Sequence, residues 1–487
     1  MTFGYPSFFE RRYAVLAAAI LCLAAFNLTF RLGSEIVTEW DESLYAISAW
    51  EMLHSHDWIG TTFMGSLDYY NTKPPLNVWL ITLAFKALGP SLLSLRICSI
   101  TAAWCTVAVF QRWVRQTRGA AAALAASLVL ATTFGFIYDH AARSANTDAL
   151  FTLLVLLTVV TLWSSQERDW RLAWLGPIAA AVFLLRGMAV LMPLAIVVTA
   201  EWWRVRRGLR RQRLPIMTAS ILFAIPVTAW LAARWQLDEW RFISRIFTYD
   251  FAARALTVIE DHSGTPFYYL NILQRNQFDW VVAGLAALCV CALSAPRVLR
   301  ALAFWRADDA STMLAAVWAA VALAVPTLMR TKLSWYLNSF YPPFALGIGW
   351  LFVKAMWASR EPALRRRMAA LAVVFAMAVV AAESRLVWYS FNRRALASSS
   401  QGFLLAERKL LGGQRVFRDH WTHGESFVLE GIVGAEQRES ENVDAFLQQS
   451  AAGDYLLSTD KIVQPDLQLV RSNGRHHLFR RRRSRLE

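Results

Sequence analysis

A few short stretches of this chain collect residues able to do chemistry. Asp41 and Glu42 stand side by side, with Tyr45 one helical turn on; Tyr69 and Tyr70 precede Lys73, which leads into Pro74-Pro75. His140, Arg143 and Asp148 flank a polar turn, Arg186-Gly187 interrupts an apolar run, and Arg330, Lys332, Trp335 and Tyr336 form another polar break. Such a set suits transfer of a sugar from a phosphate-linked donor. A carboxylate must take a proton from the acceptor hydroxyl as the anomeric carbon opens toward an oxocarbenium-like state, and cations must receive the departing phosphate.

Asp41 is the candidate base, with Glu42 and Asp148 as its companions in the reacting group. The plainer reading of Asp41 and Asp148 is helix capping, since acidic residues favour the first turn. Lys73 is the first phosphate candidate, because two fixed φ angles behind it stiffen the backbone and aim the ammonium. A lysine snorkelling to headgroups is the alternative. Arg143, Arg186, Arg330 and Lys332 complete the phosphate-binding set. Tyr45, Tyr69, Tyr70, His140, Tyr268, Tyr269, Trp335 and Tyr336 are candidates to line a groove for sugar and lipid. The stretch Glu260-Asp261-His262 leaves a metal role for His262 open, although one histidine beside acids needs further ligands. A structural or acceptor-contacting loop is the other reading. The proposed chemistry itself requires no cofactor.

These residues need a membrane to hold them. Of 487 residues 56% are hydrophobic and 17% charged, more apolar than a soluble core of this length demands. The net charge of +15 is gathered in runs such as Arg204 to Arg207 and Arg365-Arg366-Arg367 between apolar spans, which read as cytoplasmic anchors and argue against a nucleic-acid partner. All five cysteines fall in apolar stretches, so no disulfide framework is signalled. The first apolar segment, after Arg11-Arg12, reads as a retained helix.

Apolar windows at about 13–30, 92–111, 120–138, 148–163, 171–185, 187–203, 215–233, 278–294, 311–329, 335–353 and 368–388 give about eleven spans, with thirteen as the alternative count. The piece Pro74 to Leu88 covers only ~22 Å at ~1.5 Å per residue, against a ~30 Å hydrocarbon core. If it does not span, every arginine-rich loop falls on one side, as the positive-inside rule requires. It is therefore expected to be a juxtamembrane or re-entrant helix. The first loop 31–75, the turn before Asp148, the loop 234–277 and everything after about 390 are then outside. Residues 1–390 read as the multi-span catalytic domain and 391–487 as a small outer α/β domain. Its expected elements are runs at Arg415 to Arg418, Phe427 to Leu429 and Tyr455 to Ser458, a helix near Glu441 to Ala451, and a hairpin Leu467 to Phe479 turning at Ser472-Asn473-Gly474.

Taken in order, W-D-E-S-L-Y-A, K-P-P-L-N-V-W-L, A-R-S-A-N-T-D-A-L, L-L-R-G, H-S-G-T-P-F-Y-Y-L and T-K-L-S-W-Y with a following Y-P-P resemble the GT-C lipid-carrier-dependent glycosyltransferases. That superfamily includes the dolichyl-phosphate-mannose protein mannosyltransferases and the bacterial aminoarabinose transferases of lipid A. The resemblance covers about residues 35 to 345. It implies an α-helical membrane fold with the active site at the outer face of the bacterial cytoplasmic membrane, and an inverting displacement from a polyprenyl-phosphate sugar. At matching positions it implies an acidic role for Asp41, phosphate contact for Lys73 and an active-site role for Asp148. Some relatives hold a divalent metal near a histidine of the outer loop, the position of His262. Two departures are visible: R-G stands where relatives often have K-G, and the C-terminal domain is short. The expected partners are a polyprenyl-phosphate-linked donor, an envelope glycolipid (lipid A or lipopolysaccharide) or glycan acceptor, and the bilayer, with the chain acting as a monomer. Rival readings are transfer to a protein hydroxyl, and a lipid-linked-substrate transporter without chemistry.

Overall fold

The computed structural model describes residues 6–138, 140–209, 211–294, 309–358, 362–393, 395–420 and 422–482. Asp139, the basic residues Arg297, Arg300 and Arg306, and the tail residue Arg483 lie outside them. The chain is mainly helical, and a helix forms in each of the expected apolar windows. Six stretches among the described residues are long and apolar enough to cross a bilayer: Phe8–Ser34, Leu92–Arg118, Asp169–Arg206, Arg213–Asp238, Ala310–Leu328 and Ala369–Asn392. Shorter apolar helices accompany them, including Ala120–Ala131 and Asp148–Ser164. This is a multi-pass membrane protein.

The proline-led segment is helical over Leu76–Leu88. Thirteen residues reach only about 20 Å along the axis. That is short of a span, as its length and its two prolines lead one to expect.

Two compact units divide the chain. The first comprises Met1–Phe30, Thr72–Asn77 and Cys98–Tyr389; the second comprises Arg31–Asn71, Val78–Ile97 and Ser390–Glu487. In the first unit the helices Pro6–Thr29 and Tyr341–Ala358 both pack on Ala120–Ala131, and Arg213–Asp238 packs on Leu175–Arg186. Small residues let the backbones approach: a Cβ added at Gly349 would stand 2.5 Å from the Ala126 nitrogen.

Polar tethers sort the turns of this unit into two sets. In one, Arg118 bonds Asp309 and Ser311 at the start of Ala310–Leu328, and Glu10 reaches Arg115 and the Ala120 amide. Arg211 likewise ties the Ser165 carbonyl, Asp169 and Glu201 together. In the other set, Arg143 donates to the Asn27 and Phe30 carbonyls, Asn77 donates to Ala145, and Asp148 pairs with Arg186. Each set joins helix ends that are distant in sequence.

The second unit carries a five-stranded mixed sheet in the spatial order Glu436–Glu439, Arg415–Arg418, Tyr455–Ser458, His477–Arg481 and Leu467–Ser472. Its core is Phe417, Phe446, Leu456, Leu467 and Phe479. The first two strand neighbours of Arg415–Arg418 run parallel to it, and the last two strands form an antiparallel hairpin. One expected strand is absent: Phe427 to Leu429 is helical, and Phe427 stacks on Phe85 with ring centroids 5.4 Å apart. The helix Leu76–Leu88 joins the same unit from Val78 on, with the Trp79 indole donating to the Trp58 carbonyl and Thr82 to Ala49.

Candidate active site

Asp148 opens the helix Asp148–Ser164 and is buried. Its Oδ1 lies 2.7 Å from Arg186 Nη1, and its Oδ2 lies 3.3 Å from His140 Nδ1. Arg186 ends the helix Leu175–Arg186 and also lies over the Phe151 ring at 5.2 Å. The chain turns there because Gly187 adopts φ +53, a conformation that glycine reaches without a Cβ penalty. A Cβ at Gly187 would meet Ile246 at 3.0 Å and Pro74 at 3.8 Å. Pro74 therefore rests against the residue after Arg186, which brings the Lys73-Pro74 corner to the Arg186-Gly187 corner.

His140 holds a left-handed backbone, φ 55, and its ring stacks on Trp335 at 4.1 Å with planes 14° apart. The next residue, Tyr336, is hydrogen-bonded with Arg254 and lies within the electrostatic reach of Arg186. Arg254 Nε is also 3.3 Å from Asp250 Oδ1, and these partners keep the guanidinium charged despite its burial. The first unit thus joins Lys73, Asp148, Arg186, His140, Trp335 and Tyr336 in one neighbourhood, and adds Arg254. Sequence reading missed Arg254. Its only signal was the spacing of Asp250 and Arg254, four apart on a helical stretch.

Other expected residues take structural posts. Arg143, expected at phosphate, is buried and donates to two carbonyls at the end of Pro6–Thr29, with its guanidinium 4.9 Å from the Tyr138 ring. It satisfies orphan carbonyls of a helix C-terminus. Lys332 does the same for Ala310–Leu328 through the Pro326 and Thr327 carbonyls, and it lies 5.7 Å from the Tyr269 ring. Burial pushes its amine below the usual lysine range. Tyr269, expected in a groove, is 1% exposed; Tyr268 is partly exposed and meets it edge to face. Arg330 is exposed, with its amide bonded to the Ala255 carbonyl. His262 stands 4.0 Å from Glu260. Among the described residues no group of three or more His, Cys, Asp or Glu side chains is placed to hold a metal.

In the second unit Asp41, half-buried, is the first residue of the helix Asp41–Ser55. Its neighbour Glu42 is fully buried: its oxygens accept from Arg96 Nε at 2.7 Å and Nη2 at 3.2 Å, and from the Thr38 amide and hydroxyl at 2.8 and 2.9 Å. Glu42 is thus a structural anchor, a correction to its expected place beside the base. Burial would push its carboxyl up, but Arg96 and Thr38 overcome this and hold it below the usual glutamate range. The stabilisation is present above the ordinary glutamate pKa and is lost as pH falls through the depressed folded value. Glu42→Gln is expected to destabilise by about 3–5 kcal/mol, because it leaves a buried guanidinium without its charge partner. A thermal melt of the detergent-solubilised protein reads this, and an unchanged midpoint would remove the anchoring role. Tyr45, expected in the groove, is 2% exposed. Tyr69 is half-buried, and exposed Tyr70 packs near Trp40 at 5.9 Å.

Residues 72–232 match the family described as dolichyl-phosphate-mannose-protein mannosyltransferase. An undecaprenyl phosphate-alpha-4-amino-4-deoxy-L-arabinose arabinosyl transferase of Pseudomonas aeruginosa strain LESB58 is 30% identical over 356 residues, 71% of this chain and 61% of the relative. One of Pseudomonas fluorescens strain Pf-5 is 29% identical over 68% of this chain and 55% of the relative. The chain therefore spans less than two thirds of these relatives' length. The crystal structure of ArnT from Cupriavidus metallidurans bound to undecaprenyl phosphate superposes with a TM-score of 0.70 at 15% identity, covering 96% of this chain and 97% of that one. The oligosaccharyltransferase of Archaeoglobus fulgidus in its apo form gives 0.55 at 12% identity, covering 88% and 65%. The chain has the fold of the GT-C transferases and resembles the polyprenyl-phosphate-dependent aminoarabinose transferases in sequence.

Proposed function

We propose that this protein is an inverting glycosyltransferase that moves a sugar from a polyprenyl-phosphate carrier to a cell-envelope glycolipid or glycan, with lipid A as the leading acceptor. The reaction takes place at the outer face of the bacterial cytoplasmic membrane. With about eleven spans, the positive-inside rule supports an outer position for the turns of the Asp148–Arg186 set, since outer turns otherwise lack excess cations. The names of the relatives point to undecaprenyl phosphate as carrier and 4-amino-4-deoxy-L-arabinose as sugar. The protein acts as a monomer, and its chemistry calls for no metal.

Asp41 takes the acceptor hydroxyl proton while the oxygen attacks the anomeric carbon from the side opposite the phosphate. The bond from that carbon to the phosphate oxygen breaks, and the polyprenyl phosphate leaves with the electron pair. Lys73, Arg186 and Arg254 stabilise that charge. Asp148 keeps Arg186 and His140 oriented, and His140, Trp335, Tyr336 and Tyr70 contact the donor. The observation that carries this reading is the convergence of the Lys73 and Arg186 corners on an Asp148-centred ion pair, in a chain with the transferase fold. A transporter needs no such one-sided polar group.

The test is a mass-spectrometric comparison of envelope lipids from cells with and without the protein. Loss of one glycoform, with accumulation of its polyprenyl-phosphate sugar, is the expected result. Unaltered lipids, or a lost glycoprotein in place of a glycolipid, would overturn the assignment of the acceptor or of the reaction.

A further inference from the structure

The stretch leading into Asp41 is held on both sides within the second unit. Glu35, Val37 and Glu39 each contact the C-terminal segment. Glu35 Oε2 is 2.7 Å from Arg393 Nη1, and Glu35 bridges Ala395 in antiparallel fashion. Val37 makes a paired amide contact: its N–H donates to Gln401 Oε1 at 2.8 Å, and its carbonyl accepts from Gln401 Nε2 at 2.9 Å. Glu39 accepts from the amides of His423 at 2.9 Å and Gly424 at 3.2 Å. On the other side of the stretch, Arg96 donates to the Glu35 and Ile36 carbonyls at 3.3 and 2.6 Å, and Thr38 donates to Glu42.

Burial and strain add to the pattern. Glu35, Val37 and Gln401 are at most 3% exposed. Gly424 fits where nothing larger could, since an added Cβ would stand 2.8 Å from the Val37 carbonyl and 3.0 Å from Glu39 Oε1. Trp40, next to Asp41, holds φ 65 and ψ −118, and its ring packs on His423 at 5.0 Å. A non-glycine residue keeps such a conformation only where its surroundings over-determine it. Here the over-determination ends at the residue before the proposed base.

We infer that the C-terminal segment is a positioning device for the proposed transfer, with Gln401 as its central residue and Arg393 and Gly424 in support, acting through residues 35–39 on the placement of Asp41. This rests on the reading of Asp41 as the base. Gln401 is a positioning residue: it acts through the Val37 backbone.

The experiment uses the full chain in proteoliposomes, supplied with lipid extract from cells lacking the protein as the source of donor and acceptor. Gln401→Met keeps the volume and removes both amide bonds. It is expected to lower kcat about 10- to 100-fold, with the donor KM within about twofold, as misplacement of a reacting group by about an ångström does. Gly424→Ala should behave alike. Arg393→Lys, which keeps the charge opposite Glu35, should retain most of the turnover that Arg393→Ala loses. A Gln401→Met protein with wild-type kcat, or one whose loss is matched by its unfolded fraction, overturns the inference. If Gln401→Met does not fold, the Arg393 pair decides, and equal turnover of Lys and Ala overturns it. Wild-type protein without product, or an Asp41→Asn variant of normal activity, removes the transferase reading itself. An active wild type with inactive Asp41→Asn and unimpaired Gln401→Met removes the positioning role alone.

Discussion

Asp41→Asn is expected to reduce sugar transfer about 10²- to 10⁴-fold, the usual loss when a positioned general base is removed, while the protein melts close to the wild-type temperature. Asp41 is half-buried at the first position of its helix, where a carboxylate gains about 0.3–1 kcal/mol from the helix dipole. Asparagine keeps the shape and gives up the charge. The adjacent carboxylate provides the contrast, because Glu42 is fully buried against Arg96 and its loss should appear first in stability. Two neighbouring acids thus predict opposite phenotypes. Transfer by Asp41→Asn within about threefold of wild type, in proteoliposomes under the same donor supply, would end the base role.

Much of the organisation is legible in the residues because membrane proteins are constrained in few ways. Apolar windows long enough to span must become helices, and cationic turns sort by side. Arg118 pairs with Asp309 and Arg211 with Asp169, each pair joining turns far apart in sequence, and Arg211 also pairs with Glu201. The hairpin of the C-terminal segment is readable from Ser472-Asn473-Gly474, where Gly474 takes φ 87. The run Phe427 to Leu429 is not: apolar residues bounded by no turn signal do not distinguish a strand from a buried helix.

Residue roles are harder to read, for a physical reason. An arginine beside a polar turn looks the same in sequence whether it awaits a phosphate or closes a helix end. Arg186 and Arg143 are separated only by what stands opposite: Asp148 in one case, the Asn27 and Phe30 carbonyls in the other. Glu42 and Asp41 pose the same problem, since the partner that settles it, Arg96, lies 54 positions away. Gln401, 364 positions from Val37, carries no local signal.

Lys73→Ala should lower kcat about 10²- to 10³-fold, the range found when one preorganised donor to a developing charge is removed. The proposed donor is a phosphodiester with one negative charge; as the sugar departs, the phosphate becomes a monoester and gains a second. An ammonium beside it is therefore worth more in the transition state than in the bound donor, and only that difference accelerates the reaction. The fall should appear mainly in kcat, with donor KM rising less, and inhibition by free polyprenyl phosphate should weaken in parallel. Pro74 seated against Gly187 holds the backbone of this corner beside Arg186, so the remaining cation does not simply move into the gap. Lys73→Arg keeps the charge on a longer, planar head and should recover part of the rate. A Lys73→Ala enzyme whose donor KM rises while kcat stays at the wild-type value would mean that the lysine anchors the carrier and leaves the leaving group to others.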